Sequence, residues 1–178
     1  MKQQYNNQKT VYNRKDLSEP KFVRSVTVGV QYLKNYDLNK WGELNYRNVG
    51  DSGFDLRAAI NSGSGNKRMV IRPCQVYIIP TGVIFDIPLG YEIQIRPRSG
   101  FSMKYGALII NSPGTVDSQF RGEVKIIMAG LESIFEIQNG DRIAQAVVCK
   151  VPKVNLVKVD EVSKTLRGNN GFGSTGIK

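Results

Sequence analysis

The stretch VKIIM, residues 124–128, carries apolar side chains at its first, third and fifth positions. Side chains two positions apart lie on the same face of a β-strand, so this stretch predicts a strand with one apolar face. Outward from it, YEIQI at 91–95 and VTVGVQY at 26–32 have the same period. The chain is therefore expected to be built from strands rather than from helices.

Further apolar runs follow along the chain, and short turn segments separate them. They occupy about residues 69–80, 82–87, 107–111, 132–137, 141–151 and 153–159. Regularly spaced short strands without intervening helices predict an all-β sandwich or barrel, such as a jelly roll. Asn139-Gly140 lies between two of these runs, and Asn-Gly supplies the positive φ angles that tight turns require. We therefore predict a β-hairpin at this dipeptide.

The composition narrows the chemistry, because the 178 residues include no histidine. Imidazole bases, Ser-His and Cys-His nucleophile pairs and the usual zinc ligands are thereby excluded. Any general base is expected to be a carboxylate. The formal net charge of +10 suits a polyanionic ligand such as a triphosphate or a nucleic acid.

One folded domain with two tails is expected. Residues 1–21 form a polar, basic extension, residues 22–160 the all-β domain and residues 161–178 a Gly-rich mobile arm. The sequence has neither the apolar run of a signal peptide nor the roughly 18 apolar residues of a membrane span, so a cytoplasmic location is expected. The extension is interpreted as solvated. Contact with nucleic acid or a protein partner is the alternative, although no aromatic interleaving accompanies its basic residues.

Two other signatures predict no site. Cys74 and Cys149 lie in strand-like apolar runs outside any CxxC cluster, so both are expected to pack in the core. Gly171, Gly173 and Gly176 have G-x-G-x-x-G spacing, but a dinucleotide fingerprint must follow a strand and open a helix. A P-loop also fails, because no Gly-Lys-Ser/Thr follows these glycines.

Five polar segments interrupt the predicted strands. They are DSGFDLRAA at 51–59, RPRSGFS at 96–102, NSPGTVDSQFRGEVK at 111–125, GDRIAQ at 140–145 and RGNNGFGSTG at 167–176. In content, order and spacing these segments, here called motifs 1 to 5, resemble the motifs of the trimeric dUTPase family across residues 22–178. The resemblance implies a jelly-roll homotrimer in which motifs 1, 2 and 4 come from one subunit, motif 3 from a second and the arm from a third.

The resemblance also implies an activity, the Mg²⁺-assisted hydrolysis of dUTP to dUMP and pyrophosphate. This reaction limits uracil incorporation into DNA and supplies dUMP. Asp117 matches the catalytic aspartate, which accepts a proton from the water that attacks the α-phosphorus. The alternative for Asp117 is a turn residue whose carboxylate caps a backbone amide. Mg²⁺ is expected to be held mostly by phosphate oxygens and water, so no metal ligand is assigned, and Asp55 either acts through water or orients its strand.

Phosphate binding is assigned by the same resemblance to motifs 2 and 4. Arg98, Ser99 and Gly100 supply a guanidinium, a hydroxyl and an unobstructed backbone. Gln145 matches a polar position that contacts phosphate or the neighbouring site. Taken alone, Pro-Arg-Ser-Gly is an ordinary turn, and an isolated Gln in a strand usually faces solvent.

Uracil and deoxyribose recognition is assigned to motif 3. Asn111, the backbone near Thr115 and Val116, and Lys125 match the residues that line the base and sugar pocket. Phe120 departs from the family's tyrosine, which packs against the deoxyribose and obstructs a ribose 2′-hydroxyl. A phenyl ring keeps the bulk and loses the hydrogen bond, so discrimination against UTP is the property most affected.

The arm supplies the last predicted contacts. Arg167 is expected to pair with the distal phosphates, Phe172 to cover the uracil, and Gly173 and Ser174 to place donors near the nucleotide. A frayed terminus is the alternative. Two other functions also remain open for the whole chain: a dCTP deaminase of the same broad fold, and a dUTPase-like regulatory protein that binds a partner through its basic extension.

Overall fold

The computed structural model describes residues 25–60 and 67–171. The predicted extension at 1–21 and the arm residues Phe172, Gly173 and Ser174 lie outside the described residues. Within the described ranges the chain forms eleven strands and two short helices. Neither of these helices is long and apolar enough to cross a membrane.

The elements follow one another with few interruptions. The strands are β1 (Gly29–Tyr32), β2 (Phe54–Arg57), β3 (Arg68–Ile71), β4 (Val76–Pro80), β5 (Val83–Asp86), β6 (Tyr91–Arg96), β7 (Ala107–Ile109), β8 (Gly114–Val116), β9 (Lys125–Gly130), β10 (Phe135–Gln138) and β11 (Arg142–Lys150). The helices are α1 (Leu38–Trp41) and α2 (Ser99–Tyr105).

Antiparallel pairing joins these strands into four sheets. The strand orders are β2-β11-β6-β8, β4-β9-β7, β1-β5 and β10-β3. Neighbours in a sheet are mostly distant in sequence, so the chain crosses repeatedly between sheets, as it does in a jelly roll. The predicted all-β fold class is confirmed.

One apolar core lies between the sheets. The fully buried aliphatic and phenyl side chains include Leu56, Ile71, Ile79, Phe85, Ile93, Ile126 and Ile137. Each contributes roughly 1.5–3 kcal/mol by leaving water. Every sheet supplies at least one of these residues, so the sheets fold as one unit. The alternation at 124–128 is confirmed, since its first, third and fifth side chains are all buried.

The central strand β11 brings motifs 1, 2 and 4 together. Gln145 of β11 lies opposite Asp55 of β2 on one side and opposite Arg96 of β6 on the other. The register shifts between Arg142 and Ala144, which is a β-bulge. A bulge re-aims the side chains beside it, and here it places Arg142 next to the Asp55 carboxylate.

The predicted hairpin at Asn139-Gly140 is wrong. The dipeptide does form a tight turn, and Gly140 has a φ of 94° that favours glycine. However, β10 pairs with β3 and β11 pairs with β2 and β6, so the two strands flanking the turn lie in different sheets. The Cβ of a larger residue at 140 would lie 2.7 Å from Nε1 of Trp41, so α1 covers this crossing.

Several predicted strands differ in extent. The run at 69–80 is divided into β3 and β4 by a turn in which Cys74 has a φ of 58°. Cys74 is exposed, so its predicted core packing is wrong, whereas Cys149 is partly buried on β11. No strand forms in the described segment at 153–159, because its apolar side chains find no partner strand in this chain and are exposed.

Motif 2 continues into a helix that the sequence did not predict. Arg98 is the N-cap of α2 with an extended backbone (φ −96°, ψ 124°). Phe101 is buried, and its ring centroid lies 6.0 Å from that of Phe135 in an edge-to-face arrangement. This contact holds α2 against the core and leaves Ser99 and Gly100 exposed in its first turn.

Candidate active site

A polar cleft forms where motifs 1, 2 and 4 meet, and we call it the arginine cleft. Its volume is about 350 Å³. Four predicted phosphate ligands line it: Arg98, Ser99, Gly100 and Gln145. Asp55, Arg47, Asp51 and Arg142 also contribute to its walls. The strand pairing of β2 and β11 and the turn into α2 thus converge on one cavity.

One carboxylate holds two guanidinium groups at the floor of the arginine cleft. Oδ1 of Asp55 lies 2.6 Å from Nε of Arg98, and Oδ2 lies 2.9 Å from Nη1 of Arg142. Nη1 of Arg98 also donates to the carbonyl oxygen of Arg142 at 3.0 Å. The three side chains are only about a quarter to a third exposed. The arrangement holds the guanidinium groups of Arg98 and Arg142 side by side, and the single carboxylate of Asp55 compensates only one of their two positive charges.

The charge of the arginine cleft favours an anion. Arg47, Arg98 and Arg142 line it against the two carboxylates of Asp51 and Asp55, which leaves a surplus of one positive charge. Guanidinium groups match the geometry of phosphate oxygens and keep their charge at any physiological pH. The cleft is therefore suited to a phosphate chain.

The remaining predicted residues of the arginine cleft are polar and accessible. Gln145 donates from Nε2 to the carbonyl oxygen of Pro97 at 2.8 Å, which ties β11 to the start of motif 2. A Cβ added at Gly100 would meet no atom within 4 Å apart from its chain neighbours and the backbone of its own helix, so a ligand can approach this backbone closely. Ser99 is exposed beside it.

A second cavity, here called the apolar pocket, is built from motif 3. Its volume is about 450 Å³, and half of its lining residues are aliphatic. Five predicted substrate contacts line it: Asn111, Thr115, Val116, Phe120 and Lys125. The strands β8 and β9 form its two sides, and the loop between them carries Asp117.

Asp117 follows β8 directly, at the edge of the apolar pocket. Its Oδ1 accepts hydrogen bonds from the backbone N–H groups of Gln119 at 2.9 Å and Phe120 at 3.0 Å. The capping role that the sequence left open for Asp117 is therefore present. Capping occupies one carboxylate oxygen, and the exposed side chain keeps Oδ2 for other chemistry.

The loop after Asp117 is closed by Arg121. Nη1 of Arg121 donates to the carbonyl oxygens of Ser118 at 2.8 Å and Phe120 at 3.0 Å. Nη2 of Arg121 lies 2.6 Å from Oδ1 of Asp86 on β5. Backbone and side-chain contacts therefore hold the Asp117 loop in a single turn against β5.

Glu123 anchors the other side of the apolar pocket. Its Oε1 accepts from Nδ2 of Asn35 at 3.1 Å and from the N–H of Gly82 at 2.8 Å. Its Oε2 lies 3.8 Å from Nζ of Lys125. The strand that carries Lys125 is thereby fixed, and the ammonium group stays about half exposed at the rim.

The described part of the arm, residues 161–171, is exposed except for the partly buried Gly171. All residues from 151 to 170 are exposed. Val151 donates its N–H to the carbonyl oxygen of Gly90 at 2.8 Å, and beyond it the backbone bonds of the described arm are local, such as the one from Asn170 to Arg167. Nε of Arg167 donates to the carbonyl oxygen of Asn170 at 2.9 Å. Arg167 therefore contacts neither the arginine cleft nor the apolar pocket.

The predicted site residues thus fall into separate groups. The arginine cleft and the apolar pocket share no lining residue, so one chain does not bring Asp117 together with Arg98. The sequence reasoning missed Arg142, although it lies inside the quoted GDRIAQ segment. It also missed Arg47, because an arginine in an exposed loop has no local signal that marks a ligand.

An exposed apolar face adjoins the apolar pocket. Val76 and Ile78 of β4 are 63% and 61% exposed, and Leu108 of β7 and the following Ile110 are 45% and 52% exposed. The pairing of β4 and β7 with β9 puts these side chains on one face of the three-stranded sheet. Ile78 also lines the pocket. We call this set the apolar face.

Comparisons with known proteins agree on one family. The dUTPase family profile matches residues 39–176. A deoxyuridine 5′-triphosphate nucleotidohydrolase of Rhizobium etli (strain CIAT 652) is 47% identical over 133 residues, which are 74% of this chain and 83% of that protein. The Chlamydia muridarum (strain MoPn / Nigg) protein of the same name is 49% identical over 133 residues, which are 74% of this chain and 88% of its own length.

A solved structure shares the fold. The Staphylococcus bacteriophage 80alpha dUTPase with dUPNHPP superposes with a TM-score of 0.71 at 25% sequence identity. The superposition covers 86% of this chain and 100% of the phage protein.

Proposed function

Because this chain belongs to the dUTPase family, we propose that it hydrolyses dUTP to dUMP and pyrophosphate as a homotrimer. One observation carries the proposal. The residues that match the family's motifs line a cationic polar cleft, which suits a triphosphate, and an apolar pocket with a carboxylate at its edge, which suits a nucleoside. The absence of histidine leaves a carboxylate as the expected base.

The separation of the two cavities supports a site shared between subunits. Asp117 and the apolar pocket of one subunit face the arginine cleft of a neighbour in the proposed trimer. The apolar face supports association, because monomeric proteins rarely leave a contiguous patch of large aliphatic side chains in water. A homotrimer with cyclic symmetry repeats this contact three times and closes.

The arm extends the same proposal to a third subunit. The described segment from 151 to 170 has its side chains in solvent, and an extended chain of this length spans up to roughly 70 Å. Such a reach is sufficient to approach a neighbouring site. We assign residues 161–178 to the completion of that site, with Arg167 directed at the distal phosphates and Phe172, Gly173 and Ser174 at the nucleoside.

The uracil and the deoxyribose are assigned to the apolar pocket. Asn111 supplies amide donors and acceptors for the base edge, and the backbone of Thr115 and Val116 lies on the strand β8 beside it. Phe120 provides an aromatic wall against the sugar. Lys125 at the rim adds a cation near the phosphate side of the sugar.

The triphosphate is assigned to the arginine cleft. Arg98 and Arg142, held together by Asp55, provide charge, and Ser99, Gly100 and Gln145 provide neutral donors. These groups neutralise the negative charge that spreads over the phosphate oxygens during transfer.

Mg²⁺ fits this site as a partner of the phosphates. When bound, it supplies additional charge neutralisation on the phosphate oxygens. Among the described residues no cluster of three or more Asp, Glu, Cys or His side chains could hold an ion. Both oxygens of Asp55 are occupied by arginines, so Asp55 is suited to contact the ion only through water.

Asp117 is assigned the role of general base. Its Oδ1 is fixed by two backbone N–H groups, which orients Oδ2. Oδ2 takes a proton from a water molecule as the water oxygen bonds to the α-phosphorus. The bond from the α-phosphorus to the oxygen that bridges to the β-phosphorus breaks, and pyrophosphate leaves with the electron pair.

A substrate panel tests the function. The purified protein is mixed with dUTP, dCTP, dTTP or UTP and Mg²⁺, and pyrophosphate and ammonia are measured together, with Asp117→Asn as the control. Pyrophosphate from dUTP, lost in the variant, is the expected result. Ammonia from dCTP would indicate a deaminase, and no product from any nucleotide would indicate a binding protein.

A further inference from the structure

The ring of Phe120 lies directly over the main chain of Gly122. A Cβ built at position 122 would lie 2.6 Å from Cζ of that ring, 3.0 Å from Cε2 and 3.4 Å from Cε1. Carbon atoms in contact are ordinarily about 3.5–4.0 Å apart. The observed ring position is therefore available only while residue 122 has no side chain.

The backbone of Gly122 does not itself require glycine. Its φ lies outside the left-handed region, in which the glycines of the described tight turns are found. No other atom than those of the Phe120 ring lies among the three nearest to a Cβ at this position. The ring of Phe120 is thus the nearest obstacle that a side chain at position 122 would meet.

The backbone of Phe120 cannot readily move to relieve such a contact. Its N–H donates to Oδ1 of Asp117 at 3.0 Å, and its carbonyl oxygen accepts from Nη1 of Arg121 at 3.0 Å. Its side chain, by contrast, is 44% exposed and has room to rotate. A side chain at 122 therefore displaces the ring and leaves the turn in place.

We propose that Gly122 is a specificity-determining positioning residue. Because it has no side chain, the Phe120 ring can lie where it forms the wall of the apolar pocket that faces the sugar. The proposal rests on the proposed function. Both residues line the pocket. The ring rests against the main chain of Gly122. Because Gly122 has no side chain, its main chain determines how far the ring projects into the pocket toward the substrate.

Gly122→Ala is the direct test. We expect the ring to shift by roughly 1 Å, from overlap with the new methyl group to ordinary contact distance. The KM for dUTP should rise about 3-fold to 10-fold, and the ratio of kcat/KM for dUTP over UTP should fall by a similar factor, because the sugar wall is displaced. The kcat for dUTP should stay within about 2-fold, since the hydrogen bonds of Asp117 do not involve residue 122.

A double-mutant cycle separates this role from a structural one. In a Phe120→Leu background, Gly122→Ala should change neither the KM nor the dUTP/UTP ratio further, since the aromatic ring through which it acts is gone. An equal effect of Gly122→Ala in both backgrounds would contradict the proposal. The Leu background also makes room for the methyl group, so if Gly122→Ala alone folds poorly, a change in the KM or the dUTP/UTP ratio on adding Gly122→Ala to Phe120→Leu would by itself contradict the proposal.

Gly130→Ala is the matched control. A Cβ at Gly130 would lie 3.0 Å from Cε1 of Phe135, so this is also a glycine beneath a phenyl ring. Phe135 is buried in the core and lies outside the apolar pocket. We expect Gly130→Ala to lower the Tm and to leave the dUTP/UTP ratio unchanged.

The outcomes distinguish the two proposals. If the unsubstituted protein does not hydrolyse dUTP, the proposed function fails. If it hydrolyses dUTP and Gly122→Ala has an unchanged KM and dUTP/UTP ratio, the role of Gly122 fails alone.

Discussion

The carboxylate of Asp55 lies 2.6 Å from Nε of Arg98, so an ion pair joins motif 1 to motif 2 across the central strand β11. The second oxygen of Asp55 pairs with Arg142 of motif 4 at 2.9 Å. One acidic side chain thereby assembles cations from two other segments. Its effect on phosphate binding is through the arginines that it positions.

Asp55→Asn should weaken substrate binding. The amide cannot neutralise two guanidinium groups, so Arg98 and Arg142 should repel each other and leave the geometry that binds phosphate. We expect the KM for dUTP to rise about tenfold in steady-state assays of pyrophosphate release. Asp51→Asn is the control, because Asp51 lines the same cleft without pairing with these arginines. Equal effects of the two substitutions would argue against the positioning role.

Phe120→Tyr should alter sugar selectivity more than turnover. The ring already lines the apolar pocket, and a phenol adds a hydrogen-bonding group where the ribose 2′-hydroxyl would lie. We expect kcat for dUTP to stay within about 2-fold while the preference for dUTP over UTP rises severalfold. The two nucleotides are compared in competition. An unchanged ratio would show that Phe120 does not contact the sugar.

Local sequence patterns predicted most of the strands but did not predict which strands pair with each other. The alternation in β6 and β9 follows from burial of one strand face, which a short stretch of sequence records directly. The turn at Asn139-Gly140 was also visible in the sequence. That β10 pairs with β3 rather than with β11 depends on contacts between distant segments, which no local pattern contains.

The residues of the candidate site were likewise predicted only in part from the sequence. The resemblance of five segments to family motifs predicted Arg98, Gln145 and the pocket residues, and the structure groups them in two cavities. Arg47 was not predicted, because its position at the arginine cleft depends on the path of an irregular loop. The proposed role of Gly122 was not predicted either, because it depends on the distance between the Phe120 ring and the main chain of Gly122, which the sequence does not give.

Ile78→Asp should prevent assembly. Ile78 is 61% exposed on the apolar face, and a carboxylate there would have to lose its hydration in an interface between subunits. We expect sedimentation to show a shift from trimer to monomer, with loss of hydrolysis. Leu89→Asp is the matched control, because Leu89 is 80% exposed and lies outside the apolar face. A trimeric Ile78→Asp variant would place the interface elsewhere.

Deletion of residues 167–178 should abolish most activity without unfolding the protein. Within the deleted stretch, the described residues 167–170 are exposed, so their removal takes little from the core. We expect a Tm within about 3 °C of the full chain and kcat/KM for dUTP reduced by at least about 100-fold. Calorimetry and pyrophosphate release measure the two quantities. Full activity after deletion would refute the role of the arm.

The central claim is that Asp117 of one subunit serves the arginine cleft of another. Asp117→Asn removes the base and Arg98→Gln weakens the cleft, so each variant alone should be nearly inactive. When equal amounts are unfolded together and refolded, three quarters of the trimers should be mixed, and each mixed trimer should contain one site with both native residues. Roughly one quarter of the native activity should therefore return.

Pyrophosphate release from dUTP by these refolded mixtures is the most direct measurement. Each variant refolded alone and the native protein refolded alone provide the lower and upper references. Recovery of about a quarter of the native rate is the predicted result. Mixtures that form trimers and remain as inactive as the separate variants would contradict the shared site. Each active site would then take its Asp117 and its Arg98 from the same subunit.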